Sequence, residues 1–229
     1  MRMHKAWTWV GAFGPDLMLC AAVARVGPAR ASWWAVWDGA RLHERTHRRL
    51  APVDVTPLRV SVRGVLDLHV DPGAAWRATS GDTWTVKRPA AVSGTALGRP
   101  VDLAGLVDES GGYHPRETAW WWSAGAGVLA DGRPVTWNLV EGLHDGVEVS
   151  ERAVWIEGIP RHVAPQPFHG LDGVGDLRFT AVATRARKED YGLIASDYEQ
   201  PFGRFSGTLP EAGPLRAGYG VMERHRARW

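Results

Sequence analysis

The sequence predicts an all-β protein whose antiparallel strands close into a barrel or pack as a sandwich. An acidic residue beside a glycine recurs at short spacing between segments rich in Val, Trp, Thr and Ile, and Asp-Gly supplies the positive φ angles of a tight hairpin turn. No stretch of about a dozen residues has apolar positions three and four apart. The 27 glycines and 15 prolines also interrupt the chain too often for long helices. Barrels and sandwiches are favoured over an open sheet because they leave few unpaired strand edges.

Four segments carry these turn signals along the chain. The first is WWAVWDGARLHERT at 33–46, and the second is WRATSGDTWTVKR at 76–88. The third, WWWSAGAGVLADGRPVTWNLVEG at 120–142, places three consecutive tryptophans before a run of alanine and glycine. The fourth is AVWIEGIPRHV at 153–163. Each segment is interpreted as two strands joined by a tight turn.

The tryptophan hairpin can be placed in register if its turn consists of the two residues Asp131 and Gly132. The cross-strand pairs are then Val128 with Val135, Ala126 with Trp137, Ala124 with Leu139, and Trp122 with Glu141. In this register Ala126 leaves room for Trp137. One face of the hairpin is apolar and carries Trp120, Trp122, Val128, Val135, Trp137 and Leu139. The other face is polar and thinly covered, and it carries Trp121, Ser123, Gly125, Gly127, Thr136 and Asn138.

The tryptophan content predicts a binding cavity. Core packing accounts for many buried tryptophans, but 13 are more than a core of this size needs. Several are therefore expected to line a cavity for an apolar or aromatic small molecule. The candidate ligand-binding residues are Trp120, Trp122, Trp137, Asn138, Glu141, Tyr198 and Phe202.

Composition narrows the class of protein. The chain has 229 residues, 45% of them apolar, and a formal net charge of +2, which is typical of a globular domain. Its short basic clusters are interpreted as solvated surface, so no nucleic-acid partner is predicted. Cys20 stands alone in an apolar segment, which excludes an intrachain disulfide and indicates a core residue in a reducing compartment. No apolar stretch reaches the length of a membrane span, so a soluble cytoplasmic protein is expected.

Common catalytic motifs are missing from the sequence. The nine histidines are scattered without metal-ligand spacing, and no phosphate-binding loop is present. GRFSGTL at 203–209 does not match the nucleophile elbow of serine hydrolases. Neither a metal nor a cofactor is therefore predicted.

Three groups of acids and imidazoles could carry chemistry. The loop DESGGYH brings Asp108, Glu109, Tyr113 and His114 close to the tryptophan strand, and these four are the candidate catalytic residues. Turn formation around Gly-Gly is the alternative role for this loop. The second group contains Asp197 and Glu199 on one strand face, where burial would raise one carboxyl pKa and exposure would leave two solvated charges. In the third, Glu223 could support the imidazole of His225, or both could form salt bridges.

Several segments carry a family resemblance. They are KAWTWVGAFGPDLMLCAAVARVG at 5–27, DESGGYHPRETAWWWSAGAG at 108–127, RPVTWNLVEGLHDG with SERAVWIEG within 133–158, and QPFGRFSGTL with GVMERHRARW within 200–229. They resemble a bacterial family of unknown function that is spread through actinobacteria. That family is similar, more remotely, to the group of carotenoid hydratase, AttH and fungal Diels-Alderase. The resemblance implies two lipocalin-like β domains, 1–107 and 108–229, which flank a hydrophobic pocket.

The resemblance and the residues together suggest an enzyme or a carrier. As an enzyme, the protein would hydrate, isomerise or cyclise a polyene, terpenoid or polyketide-like molecule without a cofactor. An aromatic wall would stabilise a carbocation, and an acid from Asp108, Glu109 or His114 would protonate a double bond or activate a carbonyl. The alternative is a lipocalin-like carrier or sensor that leaves a lipid or pigment unchanged. In a third interpretation the tryptophans are simply core. The expected partner is a hydrophobic small molecule, and no oligomeric state is assigned.

Overall fold

The computed structural model describes residues 3–48, 53–147, 149–190, 192 and 195–228. Within these ranges the chain forms eighteen strands and no helix, and every strand pair is antiparallel. The predicted all-β antiparallel fold is confirmed. No helix in the described part is long and apolar enough to cross a membrane.

The first sheet holds the first ten strands and curls on itself. They are β1 (Lys5–Phe13), β2 (Met18–Val26), β3 (Ala29–Trp37), β4 (Leu42–His47), β5 (Val53–Thr56), β6 (Arg59–Val62), β7 (Leu66–Pro72), β8 (Trp76–Ser80), β9 (Thr83–Ala96) and β10 (Arg99–Gly112). Their order is β4-β3-β2-β1-β10-β9-β7-β6-β5, with β8 paired to β9. Strand β5 also approaches β1, β2 and β3, so the sheet forms a half-barrel.

The second sheet holds the remaining eight strands. They are β11 (Glu117–Leu129), β12 (Pro134–Glu141), β13 (Ala153–Ile156), β14 (Ile159–His162), β15 (Gly173–Val174), β16 (Leu177–Asp190), β17 (Ala195–Leu209) and β18 (Gly213–Arg228). Their order is β14-β13-β12-β11-β18-β17-β16-β15. The chain passes from the first sheet to the second between Gly112 and Glu117. Strand β10 extends to Gly112, five residues past the predicted domain division at 107/108.

Three apolar layers form because successive strand residues point to opposite sides of each sheet. Aliphatic side chains such as Val10, Leu68 and Val107 fill the inside of the first sheet's curl. A second core covers the outer face of the second sheet. The two sheets pack on each other through a third layer, called here the inter-sheet layer, which is rich in aromatic residues from both sheets: Trp9, Phe13, Trp37, Trp122, Trp155 and Phe202, with Trp33, Trp76 and Trp120 at its margin.

The predicted register of the tryptophan hairpin is wrong by one residue. The turn has three residues rather than two, because the Leu129 N–H donates to the Arg133 carbonyl and the Gly132 N–H donates to the Leu129 carbonyl, both at 2.9 Å. Gly132 adopts a φ of 95°, as the last residue of such a three-residue loop requires. Gly125 therefore lies opposite Trp137, and Trp122 lies opposite Val140.

The one-residue shift changes which side chains share a face. Trp122 lies in the inter-sheet layer, whereas Trp137 lies with Leu139 in the outer core of the second sheet. Gly125, not Ala126, makes room for Trp137, because a Cβ atom at Gly125 would overlap the Trp137 ring. The predicted polar face is not thinly covered either, since Ser123 and Asn138 are fully buried. Each accepts an indole N–H: Ser123 that of Trp137, and Asn138 that of Trp122.

Candidate functional site

The inter-sheet layer brings together five of the seven candidate ligand-binding residues. Trp120, Trp122 and Phe202 contribute to its packing, and the Trp122 ring meets the Trp9 ring edge-on, with centroids 5.0 Å apart. Tyr198 lies beside them, with its ring 5.2 Å from His225. Asn138 holds Trp122 in place through a 2.7 Å hydrogen bond from the indole N–H. The four aromatic side chains among them, Trp120, Trp122, Tyr198 and Phe202, are called here the aromatic wall.

The other two candidates lie elsewhere. Trp137 is fully buried in the outer core of the second sheet, where its ring packs against Phe205. Glu141 is exposed at the end of β12 and accepts a long, 3.4 Å hydrogen bond from the Phe168 N–H. Their predicted place in the ligand wall depends on the two-residue turn, and the three-residue turn of the structure removes it. We exclude them from the candidate site.

A buried ionic group, called here the Lys87 cluster, lies at one side of the layer and consists of Lys87, Asp108, His114, His144 and Glu151. The Lys87 ammonium contacts Asp108 Oδ1 at 2.5 Å and Glu151 Oε1 at 3.3 Å, so it joins a carboxylate of each sheet unit. His144 Nδ1 lies 3.3 Å from Glu151 Oε2. Asp108 also accepts hydrogen bonds from the indole of Trp7 at 3.2 Å and the hydroxyl of Ser110 at 3.2 Å.

Burial and charge set the protonation of this cluster. Burial opposes a charge on Lys87, but the two carboxylates outweigh it and raise the pKa of Lys87. Burial would likewise raise the pKa of Glu151, but Lys87 and His144 lower it. For Asp108, burial has the largest effect and raises the pKa, although the charge of Lys87 lowers it. Repulsion from the Glu151 carboxylate raises the pKa of Asp108 further. Asp108 is thus the carboxyl group in the cluster that most readily takes a proton.

His114 contributes an uncharged imidazole to the cluster. It is 3% exposed, its ring lies 5.1 Å from Trp7 and 5.7 Å from His144, and its Nε2 atom has no hydrogen-bond partner among the described residues. Burial, followed by the neighbouring charges of His144 and Lys5, lowers the pKa of His114 to about 4. A buried imidazole that is uncharged at neutral pH and has an unused nitrogen can accept a proton.

The two remaining candidate catalytic residues point away from the cluster. Glu109 occupies the other face of β10 and pairs with Arg88, with about a fifth of each side chain exposed. Tyr113 is 45% exposed, and its ring meets His4 edge-on. The loop itself is held by Lys5, which donates to the Pro115 carbonyl at 2.7 Å. The structure therefore groups Asp108 with His114 and separates Glu109 and Tyr113 from them.

A second buried group, called here the Glu223 cluster, consists of Arg185, Tyr198, Gln200, Glu223 and His225. One carboxyl oxygen of Glu223 accepts the indole N–H of Trp120 at 2.8 Å, and the other accepts the amide N–H of Gln200 at 2.7 Å. His225 lies 4.0 Å from this carboxyl group, too far for a hydrogen bond, and instead contacts Ser196 Oγ at 2.9 Å. Glu223 is therefore held by the aromatic wall rather than by its histidine neighbour.

The surroundings of Glu223 favour its protonated form. Burial, only partly offset by the Trp120 and Gln200 hydrogen bonds, raises its pKa to about 7. Burial lowers the pKa of His225 to about 3. At neutral pH this part of the layer thus holds a carboxyl group that is about half protonated, and beside it an uncharged imidazole. Tuned pairs of this kind are typical of acid–base sites.

Replacing Glu223 with Gln is expected to change how stability depends on pH. The folded-state pKa of about 7 lies above the ordinary value of 4.5, so wild-type protein loses stability as Glu223 ionises between these two pH values. The difference corresponds to about 3 kcal/mol. Relative to wild type, E223Q protein should therefore gain up to that amount from pH 4.5 to pH 7, measured by urea denaturation. Comparison of the two proteins cancels the opposite trend from His114 and His225. Parallel stability curves would contradict the burial of an ionisable group at this position.

Sequence reasoning missed Lys87, His144 and Glu151. Lys87 lies two and four residues after Thr85 and Thr83 in β9, so the three share one face of the strand. A polar face of this kind is typical of a strand surface that is exposed to solvent. His144 and Glu151 follow β12 in an acidic, glycine-containing segment that resembles an ordinary loop. Glu223 was noted only as a support for His225. The pair Asp197 and Glu199 is about one-third exposed and contacts Arg224, which agrees with the solvated alternative.

A cleft of about 420 Å³ opens at the margin of the layer between β4 of the first sheet and β16 of the second. It is lined by Glu44, Arg45, Thr46, Arg185, Ala186 and Arg187. Arg185 also reaches the layer, where its guanidinium lies 4.9 Å from the ring centroid of Tyr198. The cleft is thus charged rather than apolar, and it meets the aromatic wall at Arg185.

Solved structures share this architecture. The chain superposes on CghA in complex with Sch210972 with a TM-score of 0.51 and 10% identity, over 99% of this chain and 88% of CghA. Kievitone hydratase from Nectria haematococca gives a TM-score of 0.49 and 13% identity, over 96% of this chain and 88% of that chain. An AttH candidate from Nitrosomonas europaea gives a TM-score of 0.48 and 15% identity, over 97% of this chain and 92% of that chain. At these identities the likeness shows the fold alone, which is the fold that the predicted resemblance to this group implies.

Sequence comparisons identify a family. The domain of unknown function DUF2804 matches residues 94–229. A comparison with curated proteins finds no match. The matched range contains His114, the tryptophan hairpin and the whole Glu223 cluster.

Proposed function

We propose that this chain, which belongs to the DUF2804 family, binds an apolar small molecule in the inter-sheet layer and converts it by proton transfer without a cofactor. Hydration, isomerisation and cyclisation of a polyene, terpenoid or polyketide-like molecule are the reactions in this class. The observation that carries the proposal is Glu223, whose buried carboxyl group has a pKa of about 7 and is hydrogen-bonded to the indole of Trp120. A proton donor matched to neutral pH, set in an aromatic wall, suits the protonation of a carbon–carbon double bond.

Glu223 is the general acid in this proposal. Its proton passes to one carbon of the double bond, and the adjacent carbon becomes a carbocation. The faces of Trp120, Trp122 and Tyr198 stabilise that charge, since aromatic rings attract cations over their faces. Because the layer excludes bulk water, the charge is stabilised by fixed groups instead of by solvent. Loss of a neighbouring proton gives an isomer. Attack by a second double bond closes a ring and moves the charge to a new carbon, which then loses a proton. Addition of water followed by loss of a proton gives an alcohol.

His114 is the general base in this proposal. The supporting observations are the neutral imidazole, the unused Nε2 atom and the place of the His114 ring beside that of His144 in the Lys87 cluster. His114 accepts the proton released when water adds or when an isomer forms. Exchange with solvent then returns a proton to Glu223. Glu109 and Tyr113 have no part in this proposal because their side chains lie outside the layer.

Binding and proton transfer can be measured separately. Retinol and geranylgeraniol are expected to bind with dissociation constants in the micromolar range, which corresponds to a binding free energy of about −8 kcal/mol. Their binding is expected to change the tryptophan fluorescence. Turnover in D₂O is expected to place deuterium on a substrate carbon, detected by mass spectrometry. E223Q protein should bind as before but transfer deuterium about 100-fold more slowly or worse. E109Q protein is the matched control, since that carboxylate lies outside the layer, and it should keep full activity.

Each contrary result has a distinct meaning. Binding without deuterium transfer in wild-type protein favours the carrier or sensor. Unchanged transfer in E223Q protein contradicts the role of Glu223. Failure of both probes to change the fluorescence contradicts a ligand site in the layer altogether.

A further inference from the structure

The cleft between β4 and β16 contains a guanidinium that is fixed in place before any ligand arrives. Arg185 has only 5% of its side chain exposed, although it lines the cleft. Its guanidinium lies 5.5 Å from the ring centroid of Trp33 and 4.9 Å from that of Tyr198. It also donates to Thr46 Oγ1 at 2.8 Å. Two aromatic rings and a hydroxyl group therefore set its position at the point where the cleft meets the inter-sheet layer.

The partner of Arg185 on the cleft side is much less constrained. Glu44 Oε2 lies 3.0 Å from Arg185 Nε, but 39% of the Glu44 side chain is exposed. Glu44 lies on β4, which is the edge strand of the first sheet. A half-exposed carboxylate can move into solvent at little cost, whereas a buried guanidinium cannot remain without an anion. The arrangement allows one carboxylate to replace another on Arg185.

The charge of the cleft favours an anion. Its lining residues include three arginines and one glutamate, so it keeps a net positive charge when Arg187 is paired with Glu189. The guanidinium fork of an arginine matches the geometry of a carboxylate or phosphate group. The cleft volume of about 420 Å³ accommodates a head group and part of a chain.

We infer that the ligand is an amphiphile whose anionic head, a carboxylate, displaces Glu44 from Arg185 while its apolar body extends past Trp33 and Tyr198 into the inter-sheet layer. This inference rests on the proposed function and names its substrate class. Exchange of one carboxylate for another leaves Arg185 paired throughout, so entry of the ligand never leaves a buried charge without a partner. Glu44 acts as an internal competitor of the ligand. Arg185 is a binding residue in this scheme and takes no part in the proton transfer.

Two probes with the same polyene and different heads test the inference. Retinoate and retinol are titrated into wild-type protein, and binding is followed by the change in tryptophan fluorescence. Wild-type protein should bind retinoate up to about tenfold more tightly than retinol, because the carboxylate of the ligand becomes buried against Arg185 whereas the Glu44 carboxylate that it displaces is already 39% exposed. R185Q protein should bind the two equally. E44Q protein, which lacks the competitor, should bind retinoate more tightly than wild type and retinol unchanged.

The E44Q variant keeps the test decisive if R185Q protein does not fold, because it leaves Arg185 intact. R59Q is the matched control, since Arg59 also pairs with a carboxylate, that of Asp67, but does not line the cleft, and it should preserve the preference for retinoate. If wild-type protein binds the two probes equally, the inference that the ligand has an anionic head is wrong, whereas the proposed function is unaffected. Equal retinoate affinity in E44Q and wild-type protein overturns the exchange at Arg185. Absence of binding by either probe overturns the inference together with the ligand site.

Discussion

Replacing Lys87 with methionine is expected to lower the free energy of unfolding at pH 7 by about 3 to 5 kcal/mol. The substitution leaves Asp108 and Glu151 buried without their shared counter-ion, which is among the most costly single changes in a protein interior. Chemical denaturation at pH 7 measures the loss. R88M is the matched control: Arg88 is the next residue, and its pair with Glu109 is partly exposed, so a loss below about 1 kcal/mol is expected.

The loss in K87M protein should depend on pH in a defined direction. The folded pKa of Lys87 is raised, so its contribution is fully present at pH 7 and disappears only above its ordinary pKa of 10.5. The Lys87 ammonium lowers the folded pKa of Glu151. The stabilisation from the Lys87–Glu151 pair is therefore fully present above pH 4.5 and is lost as the pH falls below that value. The gap between wild type and K87M should therefore narrow in acid, where the carboxylates are neutral. A gap below 1 kcal/mol at pH 7 would show that the Lys87 cluster contributes little to holding the two sheets together.

Replacing Gly125 with alanine is expected to destabilise the protein by about 3 kcal/mol, the upper end of the cost of overpacking a core. The added methyl group would overlap the Trp137 ring and approach the Tyr219 carbonyl oxygen to 2.6 Å. Thermal and chemical denaturation measure the effect. In a W137L background the same change should cost less, because the ring no longer fills that space, although the contact with the Tyr219 carbonyl oxygen remains.

This prediction separates the two possible registers of the hairpin. With a two-residue turn, Ala126 would lie opposite Trp137 and Gly125 would face away from it, so G125A would change stability only slightly. With the observed three-residue turn, Gly125 faces Trp137 directly. A cost below 1 kcal/mol, or equal costs in the wild-type and W137L backgrounds, would contradict the observed packing.

Strand content and hairpin positions could be predicted because they depend on neighbouring residues. Asp131 and Gly132 mark the turn whether it has two or three residues, since either form needs a glycine with positive φ. Alternation of side chains along β11 also follows from the strand period alone. The aromatic wall was anticipated for the same reason, and Trp120 and Trp122 do share one face of their strand.

The candidate site could be predicted only in part. Asp108 and His114 were found because they lie in a short glycine-containing segment before the tryptophan strand, although the structure places Asp108 in β10 and not in a loop. Lys87 and Glu151 were missed because neither has an unusual neighbour in the sequence. Their meeting depends on how one sheet packs on the other. The roles of Glu223 and Arg185 have the same origin, since burial by distant strands raises the pKa of the first and fixes the position of the second.

The sequence by itself determined an all-β antiparallel chain, the place of its turns and the strand that carries the tryptophans, because φ preferences and the two-residue period act over a few residues. Only the tertiary structure decided the register, the face that each tryptophan occupies and the protonation of the buried acids. One added turn residue moves Trp137 to the opposite side of the sheet from Trp122. The pKa of Glu223 depends on water excluded by both sheets, which no local pattern encodes.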